Sequence, residues 1–322
     1  MSETVPAQSE QRLDKEVLRQ LATASRRRVM VRTLLILAAY AAGVAVSLRF
    51  GFGYGAAILS SVILGMILAG FLNAAHDCLH RSHLHSKRGN RAMGAVWATP
   101  LLVNFSVYRY QHLTHHRFTA VEGDTESHRT YTTVTAYLYA LSGIPLWRHT
   151  LSGLLEPSRG KFPASVNTDE RRNEARRDDL AIIGWLALVV TLTIFFPREL
   201  IFAYWLPLYF SGPAIIFLAL PEHYGLFGSP EVTRNTRTVR SNPLSRFLLW
   251  NANYHAEHHR YPAVATLNLH RLHKAMPVPH PIQERSYLGF HVKLVKAIGT
   301  GDQTPLNAPA AAEEARAKLI RN

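Results

Sequence analysis

Apolar positions in this chain collect in four runs, Thr33–Leu48, Tyr54–Leu72, Leu180–Phe196 and Leu200–Leu220, with no charged residue inside any of them. Each is close to the ~20 residues that a helix needs to cross the hydrocarbon core of a bilayer. A short turn, Arg49–Gly53, separates the first two, and Pro197-Arg198-Glu199 separates the last two. The pattern predicts an all-α integral membrane protein with four transmembrane helices, about 33–48, 54–72, 180–196 and 200–220, paired as two hairpins. Pro207 and Pro213 predict a kink in the last span. Two further apolar stretches, Gly94–Phe105 and Val134–Trp147, are too short to span and are expected at the membrane surface.

The polar segments divide the chain into a tail over 1–30, a membrane domain over 31–276 and a C-terminal tail over 277–322. The first tail lacks the apolar core that a cleaved signal peptide needs. Residues 151–179 read as a charge-rich connector ending in a helix. Two hairpins return the chain to its starting face. Arg26, Arg27, Arg28, Arg32, Lys87, Arg88 and Arg91 mark that face, whereas the opposite turns carry only Arg49 and the Arg198–Glu199 pair. Positive charge collects on the cytoplasmic side, so the termini and the polar cap between the hairpins are expected there.

Composition narrows the classes. The formal net charge of +14 fits an anionic membrane surface or an acidic partner protein. Nucleic acid is excluded as a partner, because no binding motif is present and the arginines flank apolar spans. Cys78 is the only cysteine, which rules out an intrachain disulfide and a cysteine-ligated iron–sulfur or rubredoxin-type centre.

Chemistry enters with the histidines. His255, His258 and His259 stand at i, i+3 and i+4, and so do His112, His115 and His116; His76 and His80 stand at i and i+4. On a helix these spacings put the imidazoles of each cluster on one face, a half-built metal site. Three such clusters supply eight imidazoles, more than one ion needs, and two ions would use them. Spacing does not choose among zinc, copper, nickel and iron. A zinc protease would need one His-x-x-x-His helix and one distant ligand, and a metal transporter would carry its ligands inside the spans. Asp77, Asp124, Glu126 and Glu257 are candidates to hold imidazole N–H groups. Asn251 and Asn253 are expected to cap the third helix or to hold a metal-bound water. His83, His85, His128, His149, His270, His273, His280 and His291 are expected outside the site, mostly at the surface.

The clusters HDCLH, HLTHH and HAEHH, in that order between hydrophobic hairpins, resemble the membrane-bound fatty acid desaturase and hydroxylase superfamily. Asn235-Thr-Arg-Thr, Trp250-Asn251 and Tyr261-Pro262 resemble its bacterial branch of desaturases and hydrocarbon oxygenases. The resemblance implies a di-iron site that uses O₂ to remove hydrogen from an unactivated C–H bond. It implies His76, His80, His112, His115, His116, His255, His258 and His259 as ligands, with His223, just past the last span, as a ninth. It implies a lipid or acyl substrate, the bacterial inner membrane, and an external donor of ferredoxin, rubredoxin or cytochrome b5 type with its reductase. Arg234, Arg237, Arg240 and Arg246 are candidates to dock that donor. The first expectation is a desaturase; the alternative is a hydroxylase of a hydrocarbon or small metabolite. Tyr40, Phe71 and Trp205 are candidates to line the substrate tunnel.

Overall fold

A computed structural model describes residues 13–49, 54–126 and 130–306. Four helices in it are long and apolar enough to cross a membrane: α2 (Arg26–Arg49), α3 (Tyr54–Leu79), α8 (Asp169–Phe195) and the segment Pro197–His223. A short amphipathic helix, α1 (Lys15–Ala22), precedes them, capped by Asp14. The predicted spans lie inside these helices, which run on past the apolar residues. Capping and charge explain the extra turns of α8. The Thr168 side chain accepts from Arg171 N–H, and Asp169 and Glu170 occupy its first turn, where the helix dipole favours acid.

The last span is not one regular helix. It begins as α9 (Pro197–Leu200), loosens into a π-helical turn over Ile201–Trp205, and continues as α10 (Leu206–His223), with Pro213 and Pro221 inside. The prolines remove backbone donors, as expected for a kinked span. The span α3 is the central one: half of its apolar window is buried, against 17% for α2 and 22% for α8. Leu34 and Leu35 on α2, Leu59 and Ile63 on the outward face of α3, and Leu188 and Ile194 on α8 are exposed. Such apolar faces belong in hydrocarbon, and the chain is an integral membrane protein.

The half-length stretches form short helices beside the bundle. The first becomes α4 (Lys87–Ala98), followed by α5 (Phe105–Phe118). Polar contacts bind this pair to α8, among them Arg91 to Asp178 at 2.6 Å, Ser106 N–H to Asp178 at 2.7 Å, Asn104 to Asp179 at 2.8 Å and Tyr110 Oη to Glu174 at 2.7 Å. Asn104 also caps α5, accepting from Val107 N–H at 3.0 Å. The second stretch breaks at Gly143 into α6 (Val134–Leu141) and α7 (Ile144–Gly153).

The cap beyond α10 holds α11 (Val232–Asn235), α12 (Pro243–Leu248), α13 (His255–Arg260), α14 (Leu269–Ala275) and α15 (Tyr287–Thr300). Two-residue strands, β1 (Thr238–Val239) and β2 (Gln283–Glu284), pair in parallel between them. The expected tail from residue 277 does not start there. Phe290 and Leu294 of α15 are fully buried with Tyr137 and Tyr224, and His291 bonds to Tyr137 Oη at 2.9 Å and Phe217 O at 2.8 Å. Residues 1–12, 50–53, 127–129 (with His128) and 307–322 lie outside the described residues.

Candidate metal centre

Four helices bring the nine expected imidazoles to one end of the bundle. His76 ends the α3 face and His80 follows it; α5 carries His112, His115 and His116; His223 is the last residue of α10; α13 carries His255, His258 and His259. They form two groups, His76, His80, His112, His116 and His258, and His115, His223, His255 and His259, with the ligand atoms of each group within 4.8 Å of one another. Helix geometry explains the division. Residues four apart are about 40° apart around a helix, and residues three apart about 60° in the other sense. Thus every i, i+4 pair stays together, and the odd member, His115 or His258, goes to the other group.

The hydrogen bonds turn the rings inward. Outer N–H groups are held at Nδ1: His112 by Glu126 at 2.8 Å, His115 by Asp124 at 2.8 Å, His223 by Asn235 O at 2.8 Å, and His259 by Thr119 Oγ1 at 3.3 Å. Each of these rings therefore presents a bare lone pair at Nε2. Those inner nitrogens converge. His112 Nε2 lies 2.9 Å from Nε2 of both His76 and His116, and His258 Nε2 lies 3.0 Å from that of His116. In the second group, His255 Nε2 lies 3.0 Å from Nε2 of both His223 and His259.

One proton cannot satisfy a nitrogen placed between two others in this way. Lone pairs at such separations repel unless a cation is shared. Metal–imidazole bonds of about 2.1 Å at right angles would separate neighbouring donors by about 3.0 Å. His80 Nε2 and His115 Nε2 are also buried with no hydrogen-bond partner. The donor set fits two metal ions, one per group.

Electrostatics keeps the rings in the form that binds metal. Burial, reinforced by neighbouring imidazoles, holds His80, His112, His255, His258 and His259 well below the usual histidine range. They are neutral at pH 7, and a neutral ring is a ligand without first losing a proton. His115 goes the other way. Burial opposes its charge, but the Asp124 hydrogen bond and the Glu126 and Asp124 carboxylates outweigh that and raise it.

Several expected partners are placed differently. Asp124 and Glu126 do hold cluster rings, but Asp77 and Glu257 do not. Asp77 accepts from His83 at 3.0 Å, from Ser82 Oγ and from Thr266 N–H, so it ties the end of α3 to the segment after α13. Glu257 is fully buried against Thr238 Oγ1 and His273. Burial would raise its pKa, yet those two hydrogen bonds bring it down. Asn251 is no helix cap, for Tyr254 holds that position without a side-chain bond. Trp250 and Asn251 lie in left-handed conformation, φ 55° and 61°, and the Asn251 amide donates to Thr266 O at 3.1 Å. Asn253 instead donates to Val239 O at 2.7 Å, anchoring α13 to β1.

Among the docking candidates, Arg237 is 1% exposed and donates to the carbonyls of Pro221, Tyr224 and Leu306, so it touches no partner. Arg234 and Arg240 are exposed, and Arg246 is half-buried against Tyr254 Oη. His83, His280 and His291 are buried rather than superficial. Tyr40, Phe71 and Trp205 are packing residues: Tyr40 donates to Ala203 O, Phe71 packs edge-on against Trp97, and Trp205 donates to Thr193.

Sequence reading placed Glu222 only beside its neighbour His223, as a support for that ring; its carboxylate lies instead 3.6 Å from His255 Nδ1, and the Asn235 carbonyl that holds His223 was missed. A backbone carbonyl leaves no signal in a sequence. Sequence reading also missed a cavity of about 450 Å³ that ends at Glu126, Glu222 and His223. A family model described as fatty acid desaturase matches residues 52–287 of the chain. No curated protein matches it.

Proposed function

The chain belongs to the fatty acid desaturase family, and from that premise we propose that it is an O₂-dependent di-iron desaturase of the alkyl chain of a lipid. The paired groups of five and four imidazoles carry the reading. We assign the first ion to His76, His80, His112, His116 and His258, and the second to His115, His223, His255 and His259. Bound iron would supply the activation of O₂ for attack on an unactivated C–H bond, chemistry beyond side-chain acids and bases.

In the overall reaction two hydrogens leave adjacent carbons and a double bond forms between them. One O₂ takes those hydrogens, two electrons and two protons, and leaves as two waters. The chain's own residues hold the geometry. Glu126, Asp124, Thr119 and the Asn235 carbonyl fix the Nδ1–H tautomers of His112, His115, His259 and His223, so that the Nε2 atoms of these four rings face inward, toward where the ions would sit. The burial of six of the nine rings, with His80, His116 and His223 half-buried, limits the access of bulk water to the site.

The electrons come from an external acidic carrier of ferredoxin, rubredoxin or cytochrome b5 type with its reductase. Arg234, Arg240 and Arg246 remain as docking residues on the cap. The arginine asymmetry supports a bacterial inner membrane protein with the cap in the cytoplasm. The test is expression of the protein in a bacterial host, with profiling of lipids and small metabolites. A new unsaturated lipid that disappears in His258→Ala supports desaturation. A hydroxylated product would move the chain to the other reaction of its superfamily.

A further inference from the structure

The helix α8 begins in the polar connector and ends in the bilayer, and one stripe of it belongs to both. Successive residues advance about 100° around a helix, so Arg172, Arg176, Leu180, Ile183, Val190 and Ile194 fall within an arc of about 80°. Leu180, Ile183, Val190 and Ile194 are exposed, and on a membrane-spanning helix such a stripe faces lipid. Arg176 precedes Leu180 by about one turn, roughly 6 Å along the axis. The polar layer on each side of the hydrocarbon core is roughly 5–8 Å thick. Arg176 therefore stands at the level of the lipid headgroups, with Arg172 one turn above it.

The two arginines form one wall of a cup, and the loop before α8 forms the other. A cavity of about 510 Å³ lies between them, with Gly160, Phe162, Asn167 and Asp169 also in its lining. The Phe162 ring holds both guanidinium groups, with Cζ of Arg172 at 5.7 Å and Cζ of Arg176 at 5.2 Å from its centroid. The loop itself is braced. Arg171 Nη1 donates to Ser165 O at 2.9 Å and to Asn167 Oδ1 at 3.1 Å, and Val166 is buried.

Charge selects the ligand. Like charges four residues apart on a helix repel. Asp169 Oδ1 lies 3.2 Å from Arg172 Nη1, but its side chain is 93% exposed, and such an ion pair contributes little. Arg176 Nη1 donates at 3.3 Å to Asn173 Oδ1, a neutral group. Glu170 and Glu174 lie about 160° around the helix from Arg172, and Glu174 accepts from Tyr110 Oη at 2.7 Å. Arg172 Nε is buried with no hydrogen-bond partner, and an unmet charged donor is costly. A phosphate meets each of these demands, because its oxygens take N–H groups from two guanidiniums at once and its charge separates them.

We propose that this cup binds the phosphate of an anionic membrane phospholipid, whose acyl chains run down the stripe from Leu180 to Ile194. The shared arc selects a lipid over a soluble phosphate, since only a lipid covers both the basic and the apolar part of the stripe. The site uses none of the metal-centre residues.

The test takes the purified chain in neutral detergent and titrates it with dioleoyl phosphatidylglycerol, counting bound lipids by native mass spectrometry. One phosphatidylglycerol should be retained more tightly than phosphatidylcholine, whose ammonium group the arginines repel. Arg172→Gln combined with Arg176→Gln should weaken it by about thirtyfold. Arg176→Gln alone, at an exposed position that folding does not need, should weaken it by about fivefold. Arg26→Gln combined with Arg27→Gln removes the same charge from exposed positions at the start of α2 and should leave that lipid bound. Inorganic phosphate at millimolar concentration should not displace it. Equal losses in the two double variants would make binding a property of the whole basic face, and displacement by phosphate would make the ligand a soluble one. Either result overturns the proposal, as does phosphatidylglycerol binding unchanged in both Arg176 variants.

Discussion

The rings of His116 and His259 stack at 4.2 Å between centroids, 21° from parallel, although the two residues belong to different donor groups. They form the seam between the two metal positions. Each is the i+4 member of its cluster, on α5 and α13 respectively, so two helices facing one another exchange one histidine each: His115 joins the α13 pair and His258 joins the α5 pair. Loss of an exchanged ligand should therefore damage a group whose other members stand mostly on other helices.

His258→Ala is expected to abolish turnover and deplete metal while the protein still inserts in the membrane. The spans are built from residues remote from α13, so the fold has its own support. Wild-type turnover in this variant would remove the first group from the site.

The carboxylates that hold the rings should be separable from the ligands. Asp124, with a side chain 3% exposed, fixes His115, while Glu126, 44% exposed, fixes His112. Asp124→Asn is expected to weaken metal affinity by about 10–100-fold, with Glu126→Gln nearer the lower end because water can replace it. Metal titration into the stripped protein measures both. Equal, negligible effects would show that tautomer control lies elsewhere.

Arg237 and Arg240 are near neighbours with opposite expected behaviour. Arg237→Ala removes a buried guanidinium from three carbonyls and from the face of Phe290, and should destabilise the protein by roughly 3 kcal/mol or more. Arg240→Glu should leave stability unchanged within ~0.5 kcal/mol and slow reduction by an acidic donor, most visibly at low salt. Thermal unfolding and donor kinetics at two ionic strengths distinguish them.

His280 serves as a staple in the cap. Nδ1 lies 3.2 Å from Ile282 N, and Nε2 lies 3.2 Å from Val232 O. Burial holds its folded pKa below the usual value. The unfolded chain therefore takes up the proton first, near pH ~6.5, and the stability His280 contributes is full above that pH and declines as pH falls below it. His280→Ala should cost about 1–3 kcal/mol at neutral pH and flatten that acid decline, whereas His270→Ala, half-exposed, should be silent. An unaltered melting temperature in His280→Ala would contradict the staple.

The spans and the eight clustered histidines were legible because their signals are local, run length for the helices and i, i+3 or i, i+4 spacing for the rings, whereas His223 was expected only from the resemblance. The partners were legible only where they belonged to a compact turn, as with Asp124 and Glu126 beside α5. Asp77 and Glu257 sit inside the histidine motifs, yet the helices point them away from the inner nitrogens. Arg237 and His280 were misplaced for a related reason. Arg237 is covered by Phe290 and Leu306, and His280 by Val232 of α11, all distant in sequence, and nothing around residue 237 or 280 announces that cover. The cavity beside the second group was illegible because its walls come from α10 and the α6–α7 hairpin, distant in sequence.

The most direct measurement is metal content per chain in the purified, active protein, alongside His223→Ala. Two irons per chain are expected in the wild type, with iron and turnover both lost when His223, which lies outside the three motifs but among the second group, is removed. One ion per chain, full activity with zinc and no iron, or wild-type iron in His223→Ala would contradict the two-group centre.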